Sequence, residues 1–398
     1  MKWAFWKKTY KEGEKHSIGL EWLDAIVFAV IVVTFLNIFF IQSFKIPSSS
    51  MEKTLMTGDF LFVEKLSYGP RMPQTPISMP FMHNVFPGGG ECYSTAIQCK
   101  YRRLKGIKSS VGRDDIVVFN FPHGDSVLTK APVDDYYAHV RINGKEYTER
   151  TFGPVLVRPS DKTDHYVKRC VAVAGDSLEV RDGLVFVNGV QQESFPGIQL
   201  TYEVITDGNS LNLRVFRNMG FAQNEVWFDS NLPGYPALTL TAAQAEELAS
   251  LPSVVSVNPV IDVYPPDYPD SPQMLFPFVD KGWTRDNYGP VWIPKKGDTV
   301  TLTEENIGFY RRIIAVYEDN EFSEKDGSFF INGKQVSTYT FKQDYFFMMG
   351  DNRHNSLDSR YWGFVPEDHI VGRPALIWLS KGVNGIRWNR FFKFVLND

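Results

Sequence analysis

Residues 166–189 read YVKRCVAVAGDSLEVRDGLVFVNG, and this stretch decides the fold. Val, Leu, Phe and Tyr fill three short runs, and Asp182-Gly183 and Asn188-Gly189 are the dipeptides that tight hairpin turns require. Period-two alternation places Tyr166, Lys168 and Cys170 on one face of the first run, with Val167, Arg169 and Val171 on the other. Runs of the same kind occur at 114–122 (DDIVVFNFP), 309–317 (FYRRIIAVY) and 327–334 (GSFFINGK), and each is expected to be a strand. The exception is TAAQAEELASL (241–251), whose Ala-rich composition behind Thr241 predicts a capped helix. The pattern implies a mainly β core with long excursions at about 69–112, rich in Gly, Pro and Met, and at about 192–290, which holds PPDYPDSPQ.

A faint internal repeat accompanies this pattern. YVKRCVAV followed by RDGLVFVNGVQ resembles FYRRIIAV followed by KDGSFFINGKQ, and RDDIVVF has an echo in KGDTVTL (296–302). The expectation is one two-hairpin unit used twice, with Lys168 aligned on Arg311. An arginine stays protonated at any physiological pH, so the second copy could not supply a base.

The wider composition narrows the function classes. A formal net charge of −4 without basic or acidic tails gives no sign of nucleic-acid binding. Three cysteines without C-x-x-C spacing argue against a structural zinc site. Cys92 and Cys99 lie in a Gly-rich stretch and are either a small-loop disulfide or two free thiols. Cys170 reads as a buried small residue.

From Ala25 to Ile41 the chain is AIVFAVIVVTFLNIFFI, broken only by Thr34 and Asn37. As a helix this run covers roughly 26 Å, and Leu20, Trp22 and Leu23 extend it toward a full bilayer core. No small-residue cleavage site follows, so a retained anchor is expected rather than a cleaved leader. Lys2, Lys7, Lys8, Lys11 and Lys15 precede it and Lys45 alone follows closely, which puts the N-terminus in the cytoplasm. The division expected is 1–24 cytoplasmic, 25–41 transmembrane and 42–398 extracytoplasmic.

Ser50, in FKIPSSSMEKTL, stands where strand patterning resumes beyond the anchor. A serine hydroxyl needs a proton acceptor before it attacks a carbonyl, and none of the seven histidines (16, 83, 123, 139, 165, 354, 369) sits in a triad-like context. Two lysines compete. Ser50-Met51-Glu52-Lys53 spells S-x-x-K, but its companions S-D-N and K-T-G are absent from the chain. Lys168 lies in an apolar strand, where it either snorkels to solvent or is desolvated. An ordinary lysine is neutral in roughly one molecule in a few thousand at pH 7, and desolvation can lower its pKa by several units. The densest polar cluster, 347–373, carries Asp351, Arg353, Asp358 and Arg360 within ten residues and suits an ion-pair network that Arg169 completes.

IPSSSM (46–51), GDFLFVEK (58–65), RDDIVVF (113–119), YVKRCVAVAGD (166–176) and GDNRHNSLDSRYWGFVP (350–366), following an anchor, together resemble the bacterial type I signal peptidases. The resemblance implies two antiparallel β-sheets with a variable inserted region, and a Ser/Lys serine endopeptidase that removes signal peptides from exported preproteins at the inner (plasma) membrane. It puts Ser50 on the nucleophile and Lys168 on the base. Ser48, with the Ser50 N–H, falls on the oxyanion hole, and Ser356 on a hydroxyl that orients the lysine. Phe44, Ile46, Met51, Tyr166 and Val167 fall near shallow pockets for small substrate residues at −1 and −3. It implies no metal or cofactor; the partners are signal peptides and the lipid bilayer. Ser49 departs from the family, where glycine is common, and His354 occupies a spacer position with no role. The tail RWNRFFKFVLND reads equally as a lipid-interface segment or a packed final strand. Two other readings are a self-cleaving repressor-type Ser/Lys peptidase, which would be soluble with a DNA-binding head, and a non-catalytic anchored β-domain with a serine linker.

Overall fold

The computed structural model describes residues 18–396 except 81, 123–125, 132–134, 222–225, 227, 229–233, 263–273 and 384. The N-terminal lysines, His16, His123 and PPDYPDSPQ lie outside the described residues. The apolar run forms a helix over Ile18–Phe39, of which Glu21–Phe39 is long and apolar enough to cross a membrane. Helical backbone can do so because it bonds all its own polar groups. The helix begins before the expected 25 and ends two residues short of 41, because Ile41 opens a strand, Ile41–Lys45.

That strand is the edge of a large antiparallel sheet. Its order is Ile41–Lys45, Asp59–Glu64, Ile370–Gly382, Ile116–Asn120, His165–Ala172, Tyr345–Met349 and Val365–Pro366. The lysine-bearing strand is therefore central, with Ile116–Asn120 on one side and Tyr345–Met349 on the other, both buried along their whole length. Such a position rewards large apolar side chains on both faces, which 116–119 supplies as Ile, Val and Phe and Tyr345–Met349 as Tyr, Phe and Met. A second sheet runs Tyr288–Trp292, Ser177–Arg181, Leu184–Val187, Val190–Gln191. It shares one apolar core with the large sheet, in which Val171, Leu178, Val187, Tyr288 and Phe347 meet. The expected mainly β architecture with antiparallel sheets is thus present.

Within the excursion at 192–290, Gln199–Thr206 pairs with both Gly234–Thr241 and Val254–Pro259. The predicted helix covers Ala242–Ala249, and Thr241 with Gln244 forms a reciprocal capping box. Leu248 and Ala245 pack with Val204, Phe216, Leu238 and Leu240 into a separate core, so this excursion is an α+β subdomain with an antiparallel sheet rather than a loop.

The repeat holds in part. Asp182-Gly183, Asn188-Gly189, Asp326-Gly327 and Asn332-Gly333 all have positive φ at both residues, as two-residue hairpin turns need. The segment 309–317, expected as a strand, is instead a helical turn, Ile307–Arg312, running into a wider turn over Ile313–Tyr317. Its buried residues Ile307, Tyr310, Ile313, Ile314 and Tyr317 recur at helical spacing.

Cys92, Cys99 and Cys170 are free thiols, the first and last buried. The tail is in part a packed final strand. Lys393–Phe394 pairs with Ile370–Gly382, and Arg390 is buried against Asp59 at 2.6 Å, while Trp388, Phe392 and Phe394 are exposed.

Candidate active site

The chain leaves its edge strand at Ile46 and turns sharply through 47–55. Leu55 N donates to Met51 O and Glu52 N to Ser49 O, and Met51 and Leu55 are buried. This tethered turn presents Ser50 toward the central strand. Lys168 Nζ lies 2.5 Å from Ser50 Oγ, and both residues are buried, at 3% and 8% exposure. No other hydrogen bond of the Lys168 side chain is found among the described residues. Burial pushes the Lys168 pKa down to about 8, against the opposing pull of Asp358 and Asp351. The Ser48 hydroxyl is 3.5 Å from Ser50 Oγ on the exposed side of the turn. Lys53 points elsewhere, donating to Met219 O at 3.2 Å and lying over the Phe221 ring.

The polar cluster of 350–360 braces this pair from behind. Arg169 is bidentate to Asp351, Nε to Oδ1 and Nη2 to Oδ2 at 2.8 Å each, with both side chains almost wholly buried. Arg360 holds Asp358 the same way, at 2.9 and 2.8 Å, and the Gly350 N–H donates to Asp358 Oδ2. The loop also grips the serine turn directly, since Asn352 N donates to Ser50 O at 3.1 Å and its Nδ2 to Ser49 O at 3.2 Å. Ser356 is buried at the same junction. A Cβ on Gly350 would overlap both Ser356 Oγ and the Ser50 carbonyl oxygen. No hydrogen bond joins Ser356 to Lys168 among the described residues; its hydroxyl bonds only to Leu357 O, at 3.5 Å.

Beside the serine, Ile46 and Met51 form a buried cluster against which Phe44 and Val167 pack half-buried. Tyr166 lies apart from them, stacked on Phe121 at 4.5 Å and edge-on to Trp362. The structure therefore brings Phe44, Ile46, Met51 and Val167 together and groups Tyr166 with another core.

Three contacts had no signal in the sequence. Thr54 Oγ1 donates to Asp351 Oδ2 at 2.6 Å, closing the ion pair onto the serine turn. The Ser49 hydroxyl accepts from Asn355 Nδ2 at 2.8 Å, which gives the side chain at the usual glycine position a partner. His354, expected to have no role, bridges Thr201 N at 3.2 Å and Asp286 Oδ1 at 2.8 Å and so ties the loop to the inserted subdomain.

Comparison with known proteins bears on this site. The family described as signal peptidase, peptidase S26, matches residues 19–210 and 291–379, well over half of the chain and every segment that builds the site. Signal peptidase I of Haemophilus influenzae is 25% identical over 395 residues, covering 97% of this chain and 78% of that protein. Signal peptidase I of Helicobacter pylori is 25% identical over 393 residues, covering 94% and 91%. That of Buchnera aphidicola subsp. Schizaphis graminum is 69% identical over a segment of 35 residues, 9% of this chain and 11% of that protein. The chain belongs to the signal peptidase family, peptidase S26, and is a hydrolase of that class. The family match leaves out 211–290, the greater part of the inserted subdomain.

Proposed function

We propose that the protein is a membrane-bound endopeptidase that removes N-terminal signal peptides from exported preproteins with a Ser50/Lys168 dyad. The observation that carries this reading is the buried 2.5 Å contact between Lys168 Nζ and Ser50 Oγ. Burial is what makes the lysine usable. With a pKa of about 8, roughly a tenth of the molecules hold a neutral amine at pH 7, a several-hundred-fold gain over an ordinary lysine.

Neutral Lys168 accepts the Ser50 proton as Oγ attacks the carbonyl carbon of the residue before the cut. The oxyanion is met by the Ser50 N–H and the Ser48 hydroxyl. Protonated Lys168 then donates to the leaving amine as the C–N bond breaks. Water, giving its proton to the same lysine, attacks the acyl ester and frees Ser50. Phe44, Ile46, Met51 and Val167, with Tyr166 nearby, take the small side chains at −1 and −3. Ser356, which makes no hydrogen bond to Lys168 among the described residues, supports the serine turn at the Gly350 junction rather than orienting the lysine directly, and the pairs Arg169–Asp351 and Arg360–Asp358 hold the frame. The helix Ile18–Phe39 spans the inner (plasma) membrane with its N-terminus inward, and it is the single helix long and apolar enough to do so among the described residues. It keeps Ser50 at the outer bilayer surface, where the end of a signal sequence emerges. Cleavage of a preprotein by detergent-solubilised wild type, Ser50→Ala, Lys168→Ala and Lys53→Ala tests the assignment. Loss is expected in the first two variants only. Activity retained in Lys168→Ala contradicts it, and loss confined to Lys53→Ala would restore the S-x-x-K reading.

A further inference from the structure

Thr34 and Asn37, the two polar residues that interrupt the apolar run 25–41, lie three apart and share a face of the helix. With Ile38 they line a cavity of about 600 Å³. Its other walls are the edge strand, the start of the 69–112 excursion and residues 161–165. Polar groups within a spanning helix are costly and mark functional positions, and the Thr34 hydroxyl is buried without a partner. Four cations line the same cavity, Lys45, Lys65, Arg71 and Lys162, and one carboxylate, Asp161. Asp161 is already engaged, accepting from Gln74 N, Thr75 N and Thr75 Oγ1.

Lys65 and Arg71 have only neutral acceptors. Lys65 donates to Asn37 O at 2.6 Å and Gln42 Oε1 at 2.8 Å. Arg71 donates to Asp368 O and Asn120 Oδ1, both at 2.7 Å. Neither makes an ion pair among the described residues. Burial, with Arg71 as a like-charged neighbour, holds the Lys65 pKa down to about 7, the mark of a cation that lacks a counter-ion. His83 and His165 also face the cavity, and burial lowers both, so they add no charge at neutral pH.

We propose that this cavity is a headgroup site for an anionic phospholipid, with Lys65 and Arg71 on the phosphate and Asn37 and Thr34 on the glycerol and ester groups beneath it. Thr34 lies roughly 4.5 Å deeper along the helix than Asn37, the order in which those groups follow a phosphate into the bilayer. A signal-peptide segment would bring neutral backbone, which does not call for four basic side chains; an anion does, and by pairing with Lys65 it would restore that lysine's charge. Lipid phosphate is the anion the bilayer surface supplies. The inference rests on reading Ile18–Phe39 as membrane-spanning.

The test is native mass spectrometry of the full chain with added phosphatidylglycerol or phosphatidylcholine. Wild type is expected to retain one phosphatidylglycerol, roughly tenfold tighter than phosphatidylcholine. Lys65→Gln and Arg71→Gln should each weaken that binding by roughly tenfold, with Lys65→Arg retaining it. Equal retention of the two lipids, or Gln variants that bind like wild type, overturns the proposal. So does displacement by inorganic phosphate at the same concentration as the lipid, which would make the ligand a free anion. Loss of signal-peptide binding in Lys65→Gln with phosphatidylglycerol retention unchanged would assign the cavity to substrate. Should Lys65→Gln fail to fold, the wild-type selectivity and Thr34→Val, expected to weaken binding severalfold, decide. Resistance to alkaline extraction is read separately. A chain that is extracted refutes the anchor, and one that resists but shows no lipid selectivity refutes this inference alone.

Discussion

The two hairpin units of this protein, 166–191 and 309–335, share a sequence pattern and half of a structure. In both, an Asn-Gly turn anchors the hairpin base in the same way. Asn188 Oδ1 accepts from Ser177 N while its Nδ2 donates to Asp176. Asn332 Oδ1 accepts from Glu321 N while its Nδ2 donates to Asn320. The segments before the hairpins part company. YVKRCVAV is clamped between two buried strands, and its lysine has nowhere to go but inward onto Ser50. FYRRIIAV finds no strand partner and coils over the shared core. Arg311 is left on the surface, paired with Glu324 at 2.6 Å and more than half exposed. The turns are fixed by local chemistry, whereas strand or helix is settled by the neighbours. Under the proposed dyad, chemistry arises only where the neighbours bury the cation.

The largest effect that would break this contrast is on catalysis. Lys168→Ala should lower kcat for preprotein cleavage by roughly 10³-fold, and Lys168→Arg should be as inactive because its guanidinium stays protonated. Arg311→Ala should cleave at the wild-type rate. A deficit in Arg311→Ala comparable to that of Lys168→Ala would mean that the second unit shares in the reaction.

Stability sharpens the contrast next. Arg169→Met leaves the Asp351 carboxylate buried and unpaired, which should cost about 3–5 kcal/mol in denaturant unfolding. Arg311→Met removes an exposed pair, worth under about 1 kcal/mol. The smallest effect concerns what the units share. Asn188→Ala and Asn332→Ala should each cost about 1 kcal/mol and agree to within about half of that. Unequal costs would show that the resemblance of the turns is superficial.

Much of this was legible in the sequence because it is encoded locally. Asp-Gly and Asn-Gly dipeptides announced the hairpins, Thr241 announced its helix, and the apolar run, broken only by Thr34 and Asn37, announced a helix long enough to cross a membrane. Ser50 and Lys168 could be named, but 118 residues separate them, and nothing in either stretch specifies a 2.5 Å contact. The misread segment 309–317 shows how short apolar runs mislead. Its buried positions continue at helical spacing from Ile307, outside the window in which Val, Ile and Phe suggest a strand. Thr54, Asn355, His354 and Arg390 were silent for another reason. Each acts through long-range hydrogen bonds or an ion pair whose partners are fixed only once the sheets are assembled.

The most direct test of the central claim, that burial turns Lys168 into a base, is the pH dependence of kcat/KM. Burial lowers the lysine pKa, so the neutral, active form predominates above the shifted value and is lost as pH falls below it. The account predicts a rise with pH to a plateau with a midpoint near 8, and a roughly tenfold fall per unit below it. A profile with its midpoint near pH 6.5, as an ordinary histidine base would give, would contradict it.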